Sequence, residues 1–171
     1  MKVVVNDANI LIDLVKLELI QVFVEIDFDL HTTDFIMEEL YSDQQMLLTK
    51  FIESGKLILI ETQDFLDYQG IIKLLENNNG LSFEDCSVWY YCKKMSGTLL
   101  TGDGKLRTRA SKEGIEVRGI HFIFDELLKQ NLIGFQLALE KLQELSLFNN
   151  RLPKSEIDLR IFLWNNGKHN Y

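Results

Sequence analysis

The chain has 171 residues, of which 46% are hydrophobic and 26% charged, and its formal net charge is −8. These values are typical of one globular domain and exclude a disordered tail, while two cysteines cannot supply a disulfide framework. No uncharged apolar run approaches the roughly 20 residues of a membrane helix, and charged residues follow the first apolar run too early for a signal peptide. We therefore expect a soluble cytoplasmic protein with no membrane partner.

Short apolar runs and longer segments of helical periodicity alternate along the first two-thirds of the chain. The apolar, partly β-branched runs predict strands at 3–5, 28–32, 57–60, 98–101 and 115–117. Apolar residues at helical spacing predict helices at 8–19, 35–41, 44–53, 64–75 and 105–113, and a further helix that opens at Ser82. From His121 onward the pattern is helical, and the last helix starts near Ser155, just after the single proline, Pro153.

This alternation predicts an α/β fold in three layers, with helices on both faces of a mainly parallel sheet and packed C-terminal helices. We place the sheet domain in residues 1–120 and a helical extension, packed on the same domain, in residues 121–171. In such sheets, ligands bind beyond the carboxyl ends of the strands. The side chains that follow the strands are therefore the first candidates for a site.

Three aspartates stand at or near such positions. Asp7 directly follows the first strand, and Asp103 follows the strand at 98–101. One aspartate at a strand end most often caps a helix, but two at corresponding positions favour a shared site. Asp85, three residues after Ser82, is the third candidate, although the same spacing is that of a capping box. The sequence leaves both roles open for Asp85.

The fourth candidate is a choice between two neighbouring glutamates. On a helical wheel, Glu39 falls between Phe35 and Ile36 on the apolar flank of its helix, whereas Glu38 falls well outside that flank. A carboxylate beside a core face is costly unless another group compensates its charge. We therefore predict that Glu39 belongs to the site and that Glu38 is solvated.

Several carboxylates in one cavity cannot all stay ionised without compensation. Mg²⁺ or Mn²⁺, bound by oxygen ligands and waters, would provide it. Such ions activate water and stabilise charge during attack on a phosphodiester. The catalytic and metal-binding residues predicted in this way are Asp7, Glu39, Asp85 and Asp103.

Positive charge is concentrated in residues 93–118, which hold seven basic and three acidic side chains. This stretch could be a solvated surface or a contact for phosphates, and charge patterning does not decide between the two. The acidic net charge alone therefore does not exclude a nucleic-acid ligand.

Four segments resemble, in order and spacing, the motifs of PIN-domain nucleases. Residues 7–12 (DANILI) resemble D-[ST]-N-x-L-I, residues 36–40 (IMEEL) resemble V-x-x-E-L, residues 81–86 (LSFEDC) resemble L-S-x-x-D-A, and residues 99–106 (LLTGDGKL) resemble L-[LV]-T-x-D-x-x-[FL]. The agreement covers residues 3–118, and the C-terminal helices resemble those of a bacterial and archaeal PIN-like subgroup. The sequence departs from the pattern at Ala8, where the family usually has Ser or Thr.

This resemblance implies a metal-dependent ribonuclease. Asp7, Asp85 and Asp103 would hold the metal. Glu39 would help to bind it or orient the attacking water, and Thr101 would support the site through its hydroxyl. Many bacterial members of the family are toxins of toxin–antitoxin modules, so the resemblance implies RNA as substrate and an antitoxin as a candidate partner. The basic stretch would contact the RNA backbone, with Lys105 and Arg107 nearest the site.

Two other interpretations of the sequence compete with a nuclease. The motif at 102–104 is similar to one of haloacid-dehalogenase-type phosphatases, but Asn9 stands where those enzymes need a second aspartate. A non-catalytic PIN-like module that binds RNA or protein is the second alternative. The four acids count against this module and the net charge of −8 mildly favours it. The C-terminal helices either cover the sheet edge or form a surface for a homodimer or another partner.

Overall fold

In the computed structural model, which describes residues 2–168, the strands form one five-stranded parallel sheet in the order β3-β2-β1-β4-β5. The strands are β1 (Lys2–Asn6), β2 (Phe28–Thr33), β3 (Ile58–Ile60), β4 (Thr98–Leu100) and β5 (Glu116–Arg118). All five predicted strands are present, with ends that differ by at most one residue. Because the strand order runs in opposite directions from β1, right-handed crossovers place helices on both faces. The predicted α/β class is confirmed.

The predicted helices are present in order, with small differences at their ends, and one short helix at 20–23 was not predicted. They are α1 (Ala8–Lys16), α2 (Ile20–Phe23), α3 (Asp34–Glu39), α4 (Ser42–Glu53), α5 (Phe65–Asn77), α6 (Phe83–Lys94), α7 (Gly104–Lys112), α8 (Ile120–Lys129), α9 (Phe135–Phe148) and α10 (Lys154–Asn165). The helix predicted over 8–19 ends early because Glu18 adopts a left-handed conformation, with φ of 57°. The helix predicted over 35–41 ends at Glu39 because Leu40 is extended and buried.

The core of the sheet is built around α6, which contacts β1, β2 and β4. The apolar runs of the central strands are completely buried, as at Val5 and Leu99, and Trp89 of α6 is 1% exposed. Cys86 and Cys92 are free and buried in the same helix, and burial raises the pKa of each thiol to about 12. These cysteines therefore act as small apolar core residues rather than as a redox pair.

The described chain divides into two compact units. The first contains the sheet and comprises the residues up to Ile12 together with Asp27–Gly119. The second comprises Asp13–Ile26 and the chain from Ile120 onward. Within the second unit, the buried Arg160 of α10 pairs with Asp125 of α8 at 2.5 Å and with Glu156 of its own helix at 2.7 Å. The division into a 1–120 domain with a packed 121–171 extension stays a prediction.

Within residues 2–168, none of the helices combines the length and the apolar composition that crossing a membrane requires.

Candidate functional site

The turns that follow β1 and β4 lie side by side at the carboxyl edge of the sheet. These strands are neighbours, with Asn6 opposite Leu100, and the backbone N–H of Asp7 donates to the carbonyl of Leu100 at 3.0 Å. The strand order reverses between β1 and β4, which is the point at which open α/β sheets bind ligands. Asp7 and Asp103 follow these two strands directly or after a short turn.

A cavity of about 360 Å³ lies at this point. Its lining includes the four acidic residues predicted from the sequence, namely Asp7, Glu39, Asp85 and Asp103. Ala8, Asn9, Ile12 and Ser82 complete the lining. Among the described residues, therefore, the fold brings all four acids together, and it is Glu39 rather than Glu38 that reaches the cavity.

Asp7 is the most buried and most constrained of the four acids, with 3% of its surface exposed. Its Oδ1 accepts the N–H of Ala8 at 2.7 Å, and its Oδ2 accepts the amide of Asn9 and the hydroxyl of Thr101, both at 2.6 Å. Burial raises the pKa of Asp7 to about 6, assisted by the charge of Asp85 and opposed by the three hydrogen bonds. The carboxyl group is therefore fixed in orientation and close to other negative charge.

Thr101 links the two strand-end aspartates. Its side chain is completely buried. The hydroxyl donates to Asp7 and accepts the backbone N–H of Asp103 at 2.9 Å. This buried hydroxyl thus contacts both strand-end aspartates.

Asp103 and Asp85 both cap helices and line the cavity. Oδ1 of Asp103 accepts the N–H groups of Lys105 and Leu106, each at 2.8 Å, at the start of α7. Oδ2 of Asp85 accepts the N–H of Ser82 at 2.9 Å, in a complete capping box. Asp85 therefore has the capping role and also lines the cavity, and the helix contacts of both aspartates use one oxygen of each carboxylate.

Burial, followed by the charges of neighbouring acids, raises the pKa of Glu39 and of Asp85. Glu39, the last residue of α3, has a pKa raised to about 7, first by partial burial and then by the charges of Glu84, Asp7 and Asp85. The pKa of Asp85 is raised by burial and by the charge of Asp103, although its hydrogen bonds to Ser82 oppose this. An added cation would relieve this repulsion.

The donor set fits a hard divalent cation in chemistry, although it is not a closed cage. Within residues 2–168, no group of three or more His, Cys, Asp or Glu side chains is placed so that it could hold a metal ion. Mg²⁺ commonly keeps several waters and takes only one or two carboxylates from a protein. An open cavity that offers carboxylate oxygens of Asp7, Asp85 and Asp103 is compatible with that mode of binding.

The basic stretch 93–118 makes many contacts within the chain. The guanidinium of Arg107 donates to the carbonyls of Thr101 at 2.9 Å and Val117 at 3.4 Å. Lys93 pairs with Glu113 at 2.7 Å, and Lys94 with Asp67 at 2.5 Å. Arg107 therefore holds the ends of β4 and β5 together. Lys105 is exposed, whereas Arg107 is half-buried.

Sequence reasoning missed one residue of the site, Asn9. Its side chain bonds to Asp7 and also accepts the N–H of Gly102 at 2.6 Å. The available signal was an asparagine two residues after a strand-end aspartate, but its partner Gly102 lies far away in sequence. Only the pairing of β1 with β4 brings the two together.

The raised pKa of Asp7 predicts a specific pH dependence of stability. The folded chain binds this proton more tightly than the unfolded chain, so the contribution of Asp7 to stability is present below about pH 4 and is lost as the pH rises through about 6. The shift corresponds to roughly 3 kcal/mol. His121, whose pKa is lowered to about 4 by burial and by the charge of Arg160, has the opposite dependence.

The contribution of Asp7 is therefore isolated by comparing the wild type with Asp7→Asn. Urea unfolding in EDTA is expected to show the variant gaining stability relative to the wild type between pH 4 and pH 7. A difference that does not change over this range would show that Asp7 is not a desolvated acid.

Comparison with known proteins agrees with the fold. The sequence model of the PIN domain family matches residues 3–165, and no curated protein matches the chain significantly. The structure of VapBC-1 from nontypeable Haemophilus influenzae is similar at 12% identity, over 69% of this chain and 98% of that chain, with a TM-score of 0.50. That of FitAcB from Neisseria gonorrhoeae is 15% identical over 67% and 95%, with a TM-score of 0.40. The likeness to VapBC-1 supports the α/β fold.

Proposed function

This chain belongs to the PIN domain family, and on that premise we propose that it is a metal-dependent ribonuclease that hydrolyses RNA phosphodiester bonds. The observation that carries the proposal is the cavity that gathers Asp7, Glu39, Asp85 and Asp103 at the reversal of the strand order. Desolvated and mutually repelling carboxylates at such a point are typical of a functional site.

Each acid has a role that its environment supports. Asp7, Asp85 and Asp103 would hold Mg²⁺ or Mn²⁺ through carboxylate oxygens. The bound ion would lower the pKa of a water molecule and stabilise the charge that develops on the phosphate. Asp7, fixed by three hydrogen-bond donors, offers a preorganised ligand.

Glu39 is suited to handle the proton of the attacking water. Its pKa of about 7 lies near neutral pH, where a general base combines availability with proton affinity. It is the last residue of α3 and lines the cavity, where its carboxylate can hydrogen-bond a water. We infer that Glu39 orients this water or accepts its proton.

A protein partner is a further part of the proposal. The resemblance to toxin ribonucleases favours an antitoxin, and exposed apolar side chains offer a surface for it. Phe65 and Leu66, in the first turn of α5, are 70% and 67% exposed. They follow β3 at the same edge of the sheet as the cavity, and exposed apolar patches often mark protein contacts. A cytoplasmic location would accompany this function.

The experiment is an RNA-cleavage assay on the purified chain. Single-stranded RNA is incubated with Mn²⁺, with Mg²⁺ or with EDTA, and we expect cleavage with at least one metal and none with EDTA. Cleavage that persists in EDTA would contradict a metal-dependent mechanism. RNA that is bound in a gel-shift assay but not cut in either metal would favour the non-catalytic binding module instead.

A further inference from the structure

The side chain of Asn9 joins the two turns that carry the strand-end aspartates. Its Nδ2 donates to Oδ2 of Asp7, and its Oδ1 accepts the backbone N–H of Gly102, with both distances 2.6 Å. Asn9 lies in the first turn of α1, whereas Gly102 lies between β4 and α7. The asparagine therefore connects the turn that presents Asp7 with the turn that presents Asp103.

We propose that Asn9 is a positioning residue that holds these two turns at the separation at which Asp7 and Asp103 bind the metal. This proposal rests on the proposed function, because it concerns the same cavity. It assigns Asn9 no contact with the substrate. Its effect passes through Asp7 and through the backbone of Gly102.

The chemistry of the two partners fixes the orientation of the Asn9 amide. A carboxylate can only accept a hydrogen bond and a backbone N–H can only donate one. The opposite orientation of the amide would set oxygen against the Asp7 carboxylate and NH₂ against the Gly102 N–H. An aspartate at position 9 would add a charge next to Asp7, so the neutral amide is the side chain that satisfies both partners.

The absence of a side chain at Gly102 leaves room for the amide of Asn9. A Cβ at position 102 would lie 2.9 Å from Oδ1 of Asn9, which is too close for the present hydrogen bond. The backbone of Gly102 is not left-handed, unlike that of Gly80 or Gly114. The glycine therefore allows the close approach of the Asn9 amide, which a Cβ would force to shift, and its own conformation does not call for a glycine.

Ala8 makes the hydrogen bond from Asn9 to Asp7 more important. It stands where the resemblance implies a hydroxyl, so position 8 contributes to Asp7 only through its backbone N–H at 2.7 Å. The side-chain hydrogen bonds to Asp7 come from Asn9 and Thr101. Removing the Asn9 amide would thus leave Asp7 with one side-chain donor of the two.

The test is a double-mutant cycle with Asn9→Ala, Gly102→Ala and the combined variant. Gly104→Ala is the matched control, because a Cβ on Gly104 in the same turn would meet no atom within 4 Å. The Mn²⁺ dissociation constant is measured by calorimetry without RNA, melting temperature is measured in EDTA, and kcat and KM are measured for RNA cleavage.

We expect each single variant to weaken Mn²⁺ binding by about tenfold to a hundredfold, as removal of an outer contact to a metal ligand does. The loss should appear in kcat, with KM for RNA nearly unchanged. Because Asn9→Ala removes the atom that Gly102→Ala would displace, the double variant should be no worse than either single variant. Gly104→Ala should match the wild type.

Additive losses in the cycle, or unchanged Mn²⁺ affinity in Asn9→Ala, would overturn the positioning role. The experiment also distinguishes a failure of the Asn9 proposal from a failure of the proposed function. If the wild type binds Mn²⁺ but cuts no RNA, the ribonuclease proposal fails while the cycle in Mn²⁺ affinity still tests Asn9. If the wild type binds no Mn²⁺, both proposals fail. Equal falls in melting temperature with no change in Mn²⁺ affinity would mean that Asn9 only stabilises the fold.

Discussion

Replacement of Asp103 by asparagine is expected to abolish metal-dependent RNA cleavage and to leave the melting temperature nearly unchanged. Asparagine caps helices as well as aspartate does, so its oxygen can keep the two N–H groups of Lys105 and Leu106 that Asp103 now accepts. The substitution removes the negative charge that a metal ion would need. Activity and thermal melts, measured on the same preparation, check the two halves of this expectation.

Two further variants separate catalysis from capping. Asp103→Ala should be inactive and should also lose about 1 kcal/mol of stability, because it removes the cap. Asp64 is a matched control, since it caps α5 after β3 through the N–H of Leu66 at 2.9 Å and does not line the cavity in the described chain. Asp64→Asn should keep full activity. If Asp103→Asn melted as low as Asp103→Ala, Asp103 would be a structural cap and its loss of activity would say nothing about metal binding.

Glu39→Gln is expected to reduce cleavage by about a hundredfold or more, the usual contribution of a positioned acid or base. Glu38→Gln should change the rate little, although the two residues are adjacent on α3. Both glutamates are exposed, but Glu39 lines the cavity and its pKa responds to Asp7 and Asp85, whereas Glu38 is not part of that lining in the described chain. Parallel rate measurements on the two variants provide the comparison.

The same pair tests the position of the helix. Equal losses of cleavage rate in the two glutamine variants would contradict both the helical wheel and the cavity lining. A loss of rate in Glu38→Gln alone would mean that the family motif is aligned one residue out of register. Glu39→Leu adds a stability measurement. In EDTA it should melt at or above the temperature of the wild type, because it removes a carboxylate that its neighbours repel.

Patterns local in sequence predicted much of the fold. The β-branched run at the start of the chain and the apolar run at 98–101 gave strands because such runs fit only a sheet buried on both faces. The helix at Ser82 was predicted from its capping box, and both of its reciprocal hydrogen bonds are present. The four acids were found because three of them follow strands or open helices and the wheel placed Glu39 beside the core face.

The features that were missed depend on contacts between distant parts of the chain. Asn9 meets Gly102 only because β1 pairs with β4. Arg107 donates hydrogen bonds to the carbonyls of Thr101 and Val117. A charge pattern could not predict these contacts, because it shows where cations stand in the sequence and not which partners they have in the fold. The compact unit that joins Asp13–Ile26 with the chain after Ile120 also arises from long-range packing.

The central claim is that the four carboxylates act as one metal-dependent centre. Its most direct test is Mn²⁺-dependent RNA cleavage by Asp7→Asn, Asp103→Asn and the double variant, measured beside the wild type. Residues that act as a unit are not additive, so we predict that each single variant loses nearly all activity and that the double variant is no worse. Substantial activity in both single variants, with independent losses that multiply in the double variant, would contradict the claim.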